Sequence, residues 1–299
     1  MSDEERAAIL EELSPGYVIE RPALAAAPFV FCSPHSGRCY PRRFLTQSRL
    51  DAHTLRRSED CYVDRLFAAA VEHGVPLLSA RFPRAYLDVN REPYELDPAL
   101  FRETLPDYAN RHSTRVVGGL GTIARIVADG AEIYGSPLAL EDGLARIELL
   151  YAPFHAALDA LLGETRAAFG YAVLIDCHSM PSLALAGHGR SRPDIVLGDR
   201  FGTSCSGLIT GFVREAFLAH GYDVRINRPY AGGFITEHYG KPLADTHALQ
   251  IEINRGLYLD EKSLEPRAQF DELASDLGAI IADIVSGLPR LLERRAAAE

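Results

Sequence analysis

The chain has 299 residues, with 31 Lys and Arg against 41 Asp and Glu, a formal net charge of −10. A hydrophobic content of 47% and a charged content of 24% are those of a folded globular protein and exclude wholesale disorder. The acidic balance excludes a sequence-independent hold on nucleic acid or an anionic membrane, which needs a basic face, and it weighs against an anionic ligand too.

Five cysteines (Cys32, Cys39, Cys61, Cys177, Cys205) are an odd number, widely spaced, and form no C-x-x-C pair. They make neither a disulfide framework nor a cysteine zinc knuckle. The opening Met1-Ser-Asp-Glu-Glu-Arg6 is acidic and lacks the basic and apolar regions of a secretory signal. No window approaches the ~18 consecutive apolar residues of a membrane span. The expectation is a reduced, cytoplasmic protein, one domain over residues 1–299 with its motifs between about 27 and 260. Oligomeric state is not legible.

Residues 2–13 read as a short polar helix. Ala27–Ser33 (APFVFCS) is a continuous apolar run suited to a buried strand, ending at the turn-forming Pro34-His35-Ser36-Gly37. From Leu50 to Gly74 the apolar residues Leu55, Tyr62, Val63, Leu66, Phe67, Ala70 and Val71 predict one helix, with Gly74 as its stop. Val75–Ala80 and Ala85–Val89 read as strands, and residues 92–118, rich in Pro, Asp and Arg, as a long surface loop. Leu138–Phe169 is helical, in two pieces around Pro153. Strands follow at Tyr171–Cys177, Asp194–Gly198, Tyr222–Ile226 and Ala248–Ile253, with helices at Ser206–His220 and Ser263–Arg295.

Strands alternate with helices, and several strands are apolar without period-2 alternation, so both faces of the sheet are covered. The fold class expected is α/β: a single three-layer α/β/α sandwich with a mixed, mainly parallel sheet. In such folds ligands sit beyond the carboxyl ends of strands.

Polar residues gather at those ends. Ala27–Ser33 delivers His35, Tyr171–Cys177 delivers His178, Ala248–Ile253 carries Glu252, and Ala85–Val89 runs into Asn90-Arg91. Two histidines and a carboxylate suit a catalytic zinc, whose open position takes a water of pKa about 7. A lone strand-end histidine is more often a hydrogen-bonded structural group; two at one sheet edge shift the balance. Asp60 sits at the border of the predicted helix's apolar stripe, with Asp64 one turn on and Glu59 further round. The bland reading of Asp60 alone is a solvated carboxylate.

Asn90-Arg91 suits an anion, because guanidinium offers a planar fork to a carboxylate. Its structural alternative is a loop-closing pair with Asp88, Glu92 or Asp97. Glu252, between Ile251 and Ile253, is either a buried ion-pair partner of Arg255 or a general base. Gly119-Leu-Gly121-Thr-Ile-Ala124 opens no helix and is set aside as a dinucleotide fingerprint; no G-x-S-x-G elbow is present. Cys61 and Cys177 read as small buried apolar residues rather than nucleophiles.

Taken together, Ser33–Gly37, Ser58–Asp64, Arg81–Arg91, Leu174–Pro181, Asp194–Gly198, Tyr230–Phe234 with Tyr239-Gly240, and His247–Arg255 with Leu257-Tyr258 resemble the N-formylglutamate amidohydrolase (formylglutamate deformylase) family. That family is similar in turn to zinc carboxypeptidases and aspartoacylase. The resemblance implies a phosphorylase/hydrolase-like fold and one divalent metal ion, with zinc expected. It implies hydrolysis of N-formyl-L-glutamate, a step in some routes of histidine degradation. By resemblance His35, Asp60 and His178 are metal ligands, with Glu59 the alternative to Asp60. Asn90 and Arg91 bind the substrate carboxylate, and Glu252 is the base. Arg84 and Arg255 are further carboxylate anchors, and His247 and Tyr230 are candidate donors to the oxyanion. The carboxypeptidase pattern of His and Glu three residues apart is missing, since Arg38 stands three after His35. The competing expectations are the same chemistry on another N-acyl amino acid or small peptide, and a catalytically silent carboxylate-binding protein. The net charge is compatible with an anionic substrate if metal and arginines make the pocket locally positive, because screening over about 8–10 Å limits repulsion from the outer surface.

Overall fold

The computed structural model describes residues 3–127, 130–182 and 193–296. Residues 183–192 lie outside the described residues. The chain packs as two compact units. Met1–Val18, Pro34–Cys61 and Ser79–Leu158 make the first; Ile19–Ser33, Tyr62–Leu78 and Asp159–Glu299 make the second.

Seven strands form one sheet: β1 (Tyr17–Glu20), β2 (Phe29–Ser33), β3 (Leu77–Ala80), β4 (Ala172–Met180), β5 (Ile195–Gly198), β6 (Val224–Ile226) and β7 (Thr246–Asn254), in the order β1-β3-β2-β4-β7-β5-β6. β2, β4 and β7 run parallel, β5 is antiparallel to β7, and β6 is parallel to β5. The expected α/β class with a mixed, mainly parallel sheet is the one observed. Every residue of β2, β4 and β5 is buried. Their apolar runs do not alternate because neither face meets water. Against that background Asp176 and His178 in β4 and Glu252 in β7 stand out as polar groups inside the apolar layer.

Among the described residues no helix is long and apolar enough to cross a membrane. The expected N-terminal helix spans Asp3–Glu12, and the helix Gly207–Ala219 is capped by Ser206 Oγ, which accepts from the Ile209 N–H. The last helix starts only at Phe270, after Pro266 and a short strand pair. Between Leu140 and Phe169 the helix is continuous but changes pitch: Ile147–Tyr151 is a π-turn in which the Ala152 N–H donates to the Ile147 carbonyl. A proline cannot donate and crowds the carbonyl four back, and the wider turn just before Pro153 accommodates it.

Three expectations are corrected. The helix predicted over Leu50–Gly74 is three short ones, Ala52–Arg56, Val63–Leu66 and Ala69–Glu72, interrupted at Tyr62, whose φ of 63° is left-handed. Asp60 therefore lies in the break and not on a helix face. Ala85–Val89 is not a strand: the Tyr86 and Leu87 N–H groups both donate to the Pro83 carbonyl, closing turns instead of a ladder. Residues 92–118 are not a surface loop either, since Glu95, Leu96, Leu100, Phe101, Leu105 and Val116 are buried.

Candidate metal centre and active site

The segment that leaves β2 carries the first histidine. Pro34–Gly37 turns immediately after Ser33 and brings His35 into the interior, 1% exposed. Gly37 is required there, because a Cβ would stand 2.2 Å from the Phe82 carbonyl oxygen. The Asp60 N–H donates to the His35 carbonyl at 3.0 Å, tying the helix break to this turn. Around the imidazole, Nδ1 lies 3.4 Å from Asp60 Oδ2 and Nε2 lies 2.8 Å from Asp88 Oδ1.

Asp60 and Glu59 are separated by what holds them. Glu59 accepts from Tyr40 Oη at 2.6 Å, from Arg56 Nε at 3.3 Å and from the Cys61 thiol at 3.4 Å. Burial raises its pKa, and the Tyr40 and Arg56 contacts oppose the rise. Its oxygens are committed to that network, whereas Asp60 faces His35.

Asp88 is a hub that sequence reading treated only as a loop-closing partner. Its Oδ1 also accepts from the Asn90 N–H at 2.9 Å, and its Oδ2 accepts from Arg84 Nη2 at 2.8 Å, with Arg91 Nη2 at 3.6 Å. Burial alone would raise its pKa; Arg91, Arg84 and His35 outweigh it and hold the carboxyl well below the usual range. Arg91 gives Nε to the Leu120 carbonyl and Nη1 to the Asn90 carbonyl. Burial lowers its pKa, Asp88 opposes, and Arg84 and Arg115 are near enough to repel it. The guanidinium thus both braces the loop and belongs to a local cluster of cations in an acidic protein.

β4 and β7 present further polar groups on one face of the sheet. Side chains two apart on a strand share a face, and so do registered partners on neighbouring strands. Asp176 and His178 therefore point the same way, as do Gln250, Glu252 and Asn254, with Asp176 opposite Gln250 and His178 opposite Glu252. His178 Nε2 stands 2.9 Å from Asp176 Oδ1, and both side chains are buried. Glu252 Oε1 accepts from Gln250 Nε2 at 2.9 Å. Tyr230 packs on Met180 and Val196, and Val196 is the β5 partner of Glu252, which brings the tyrosine to the same face. Arg255 donates from Nε to Ser179 Oγ at 3.1 Å.

His247 does not join this group. It sits on the other face of β7, about 16 Å before Glu252 at the usual strand rise, and its Nδ1 accepts from the Ser206 N–H at 3.4 Å. Strand alternation separates it from Glu252. Cys61 and Cys177 are buried free thiols, and burial with the neighbouring Asp176 pushes the Cys177 pKa well up, as expected of packing residues.

Among the described residues, His35, Asp60 and His178, all buried, each offer one ligand atom, and these atoms lie within 4.8 Å of one another. Two nitrogens and a carboxylate oxygen are a donor set that suits zinc. His35 also hydrogen-bonds through Nε2 to Asp88, the arrangement that fixes tautomer and orientation in metal-binding imidazoles, and His178 Nε2 lies close to Asp176 Oδ1. The donors present fit a divalent ion. Asp88, Asp176 and Gln250 were missed in the sequence. Asp176 had a readable signal, standing two before His178 on a strand; Asp88 had none, because its partner is 53 positions away.

A hydrolytic α/β architecture with a histidine–carboxylate centre is the class these features define. The family model for N-formylglutamate amidohydrolase matches residues 27–259, and the chain belongs to that family. The protein is a hydrolase. It is 29% identical over 265 residues to the N-formylglutamate deformylase of Pseudomonas aeruginosa, spanning 87% of this chain and 92% of the relative. The N-formylglutamate deformylase of Pseudomonas putida is 27% identical over 264 residues, with the same 87% and 92% coverage. The crystal structure of N-formylglutamate amidohydrolase from Ralstonia eutropha superimposes with a TM-score of 0.87 at 33% identity, covering 92% of this chain and 99% of that one.

Proposed function

We propose that the protein hydrolyses N-formyl-L-glutamate to formate and L-glutamate with one divalent ion, zinc expected, held by His35, Asp60 and His178. The observation that carries this reading is the convergence of those three buried donors within 4.8 Å in a chain of this family. A divalent ion bound there supplies Lewis acidity toward a carbonyl oxygen and makes water more acidic near neutral pH.

The chain's own groups do the rest. Glu252 takes a proton from the attacking water on its carboxylate, the water oxygen bonds to the formyl carbon, and the carbon–nitrogen bond breaks. Glu252 then returns the proton to the leaving nitrogen. Asn90 and Arg91, with Arg84 beside them, read substrate carboxylate and set its orientation, which is worth several kcal/mol of barrier as a rough scale. Arg255, held by Ser179, is a further anchor, and Tyr230 is the donor to the oxyanion. The substrate is a small anion; nucleic acid and membrane have no part in this reading.

The test is formate release from N-formylglutamate beside N-formylaspartate, N-acetylglutamate and N-formylmethionine, with metal analysis of the same sample. Preference for N-formylglutamate is expected. Equal turnover of the acetyl compound would replace it with a broader N-acyl amidohydrolase, and binding without turnover would make the protein a carboxylate-binding one.

A further inference from the structure

Gln250 connects Glu252 to the turn at Ala231–Gly233. Its Oε1 accepts from the Gly233 N–H at 2.9 Å, and its Nε2 donates to Glu252 Oε1 at 2.9 Å. An N–H on one side and a carboxylate on the other leave the amide a single sense, with oxygen toward Gly233 and nitrogen toward Glu252. Gln250 is 4% exposed and Glu252 8%, so neither bond is readily exchanged for bulk water.

The turn reaches the sheet because β5 has no side chain at that point. Gly198 is the β5 partner of Gln250, and a Cβ on it would lie 2.7 Å from the Ala231 carbonyl carbon and 2.8 Å from the Gly232 nitrogen. Gly232, at φ 121°, adopts a backbone conformation other residues rarely take, and it points the next N–H at the sheet. Gly233 is fixed from its other side, where its carbonyl accepts from Thr236 Oγ1 at 2.9 Å and from the Glu237 N–H at 3.1 Å.

We propose that Gln250 is a positioning residue for the general base: locked by the Gly233 N–H at one end, its amide holds the Glu252 carboxylate in one orientation for proton transfer. This rests on the reading of Glu252 as base. A glutamate has several rotatable bonds, and holding it in the productive geometry matters most in the transition state.

The test is steady-state formate release by four metal-loaded proteins: the unaltered chain, Gln250→Met, Glu252→Asp and the double variant. Gln250→Met is expected to lower kcat roughly 10–100-fold, the usual scale for a supporting partner, with KM and metal content held. In the Glu252→Asp background the shortened base no longer meets the amide, and the same substitution is expected to cost less than about threefold. Gln250→Asn, too short to span Gly233 and Glu252, covers the case in which the Met variant fails to fold, and it is expected to show the same kcat loss. An unchanged kcat in Gln250→Met or Gln250→Asn, or an equal loss in both backgrounds, overturns the positioning role alone. Full activity in Glu252→Gln overturns the base itself, and the positioning role with it.

Discussion

His35 turns Nε2 to Asp88 Oδ1 at 2.8 Å while its Nδ1 faces Asp60 Oδ2 at 3.4 Å. One imidazole therefore carries a ligand partner on one nitrogen and an orienting carboxylate on the other. That carboxylate is in turn shared with Arg84 and Arg91, so the candidate metal centre and the proposed anion reader meet at one aspartate.

Asp88→Asn tests this sharing. The amide keeps the size but loses the charge that orients His35 and anchors both arginines. Metal affinity is expected to fall about 10–100-fold, read by competition with a chelator of known affinity. KM for N-formylglutamate rises in the same variant. Unchanged metal affinity contradicts the orienting role.

Arg91→Ala is expected to act mainly on binding. KM for a dicarboxylate substrate should rise by roughly 10-fold or more, as when a charged partner in a buried site is removed. Because the guanidinium also braces the Leu120 and Asn90 carbonyls, thermal stability is measured alongside. A normal KM with lowered stability would assign Arg91 to the loop alone.

Glu252→Gln keeps the shape and removes the base. A loss of about 10²–10⁴-fold in kcat is expected, with substrate still bound when measured by calorimetry. An active variant removes Glu252 from that role.

Arg146 anchors a buried polar cluster with Glu5 and Tyr86. It is fully buried, pairs with the equally buried Glu5 through Nε at 2.6 Å, and stacks 4.0 Å from the Tyr86 ring centroid. Tyr86 also donates to Glu5 and lies two residues before Asp88. Arg146→Ala removes the fully buried cation facing Glu5, which keeps the partly exposed Arg43 Nε at 3.0 Å, and is expected to cost about 3 kcal/mol, measured by denaturant unfolding. A loss below about 1 kcal/mol, the scale of a surface pair, contradicts this.

Much of this was legible in the chain. Apolar runs located β2, β4 and β5 and an alternating one β7, and the polar residues at or near their ends, His35, His178 and Glu252, followed directly. What was not legible is what tertiary contacts decide. Periodicity carries straight through residues 57–62, yet the chain breaks there so that the Asp60 N–H can meet the His35 carbonyl. Ala85–Val89 has strand composition, but Pro83 gathers two N–H donors and closes turns. His247 looked close to Glu252 in sequence, and period-2 alternation put it on the other face. Gln250 reads as an ordinary strand residue until Gly198 and the 231–233 turn are seen to meet above it.

The most direct measurement is formate release from N-formylglutamate by one preparation, metal-loaded, exhaustively chelated and reloaded, with divalent metal counted at each stage. Roughly one ion per chain is expected, with activity lost on chelation and restored on reloading. Full activity in the chelated, metal-free protein would contradict a metal centre at His35, Asp60 and His178.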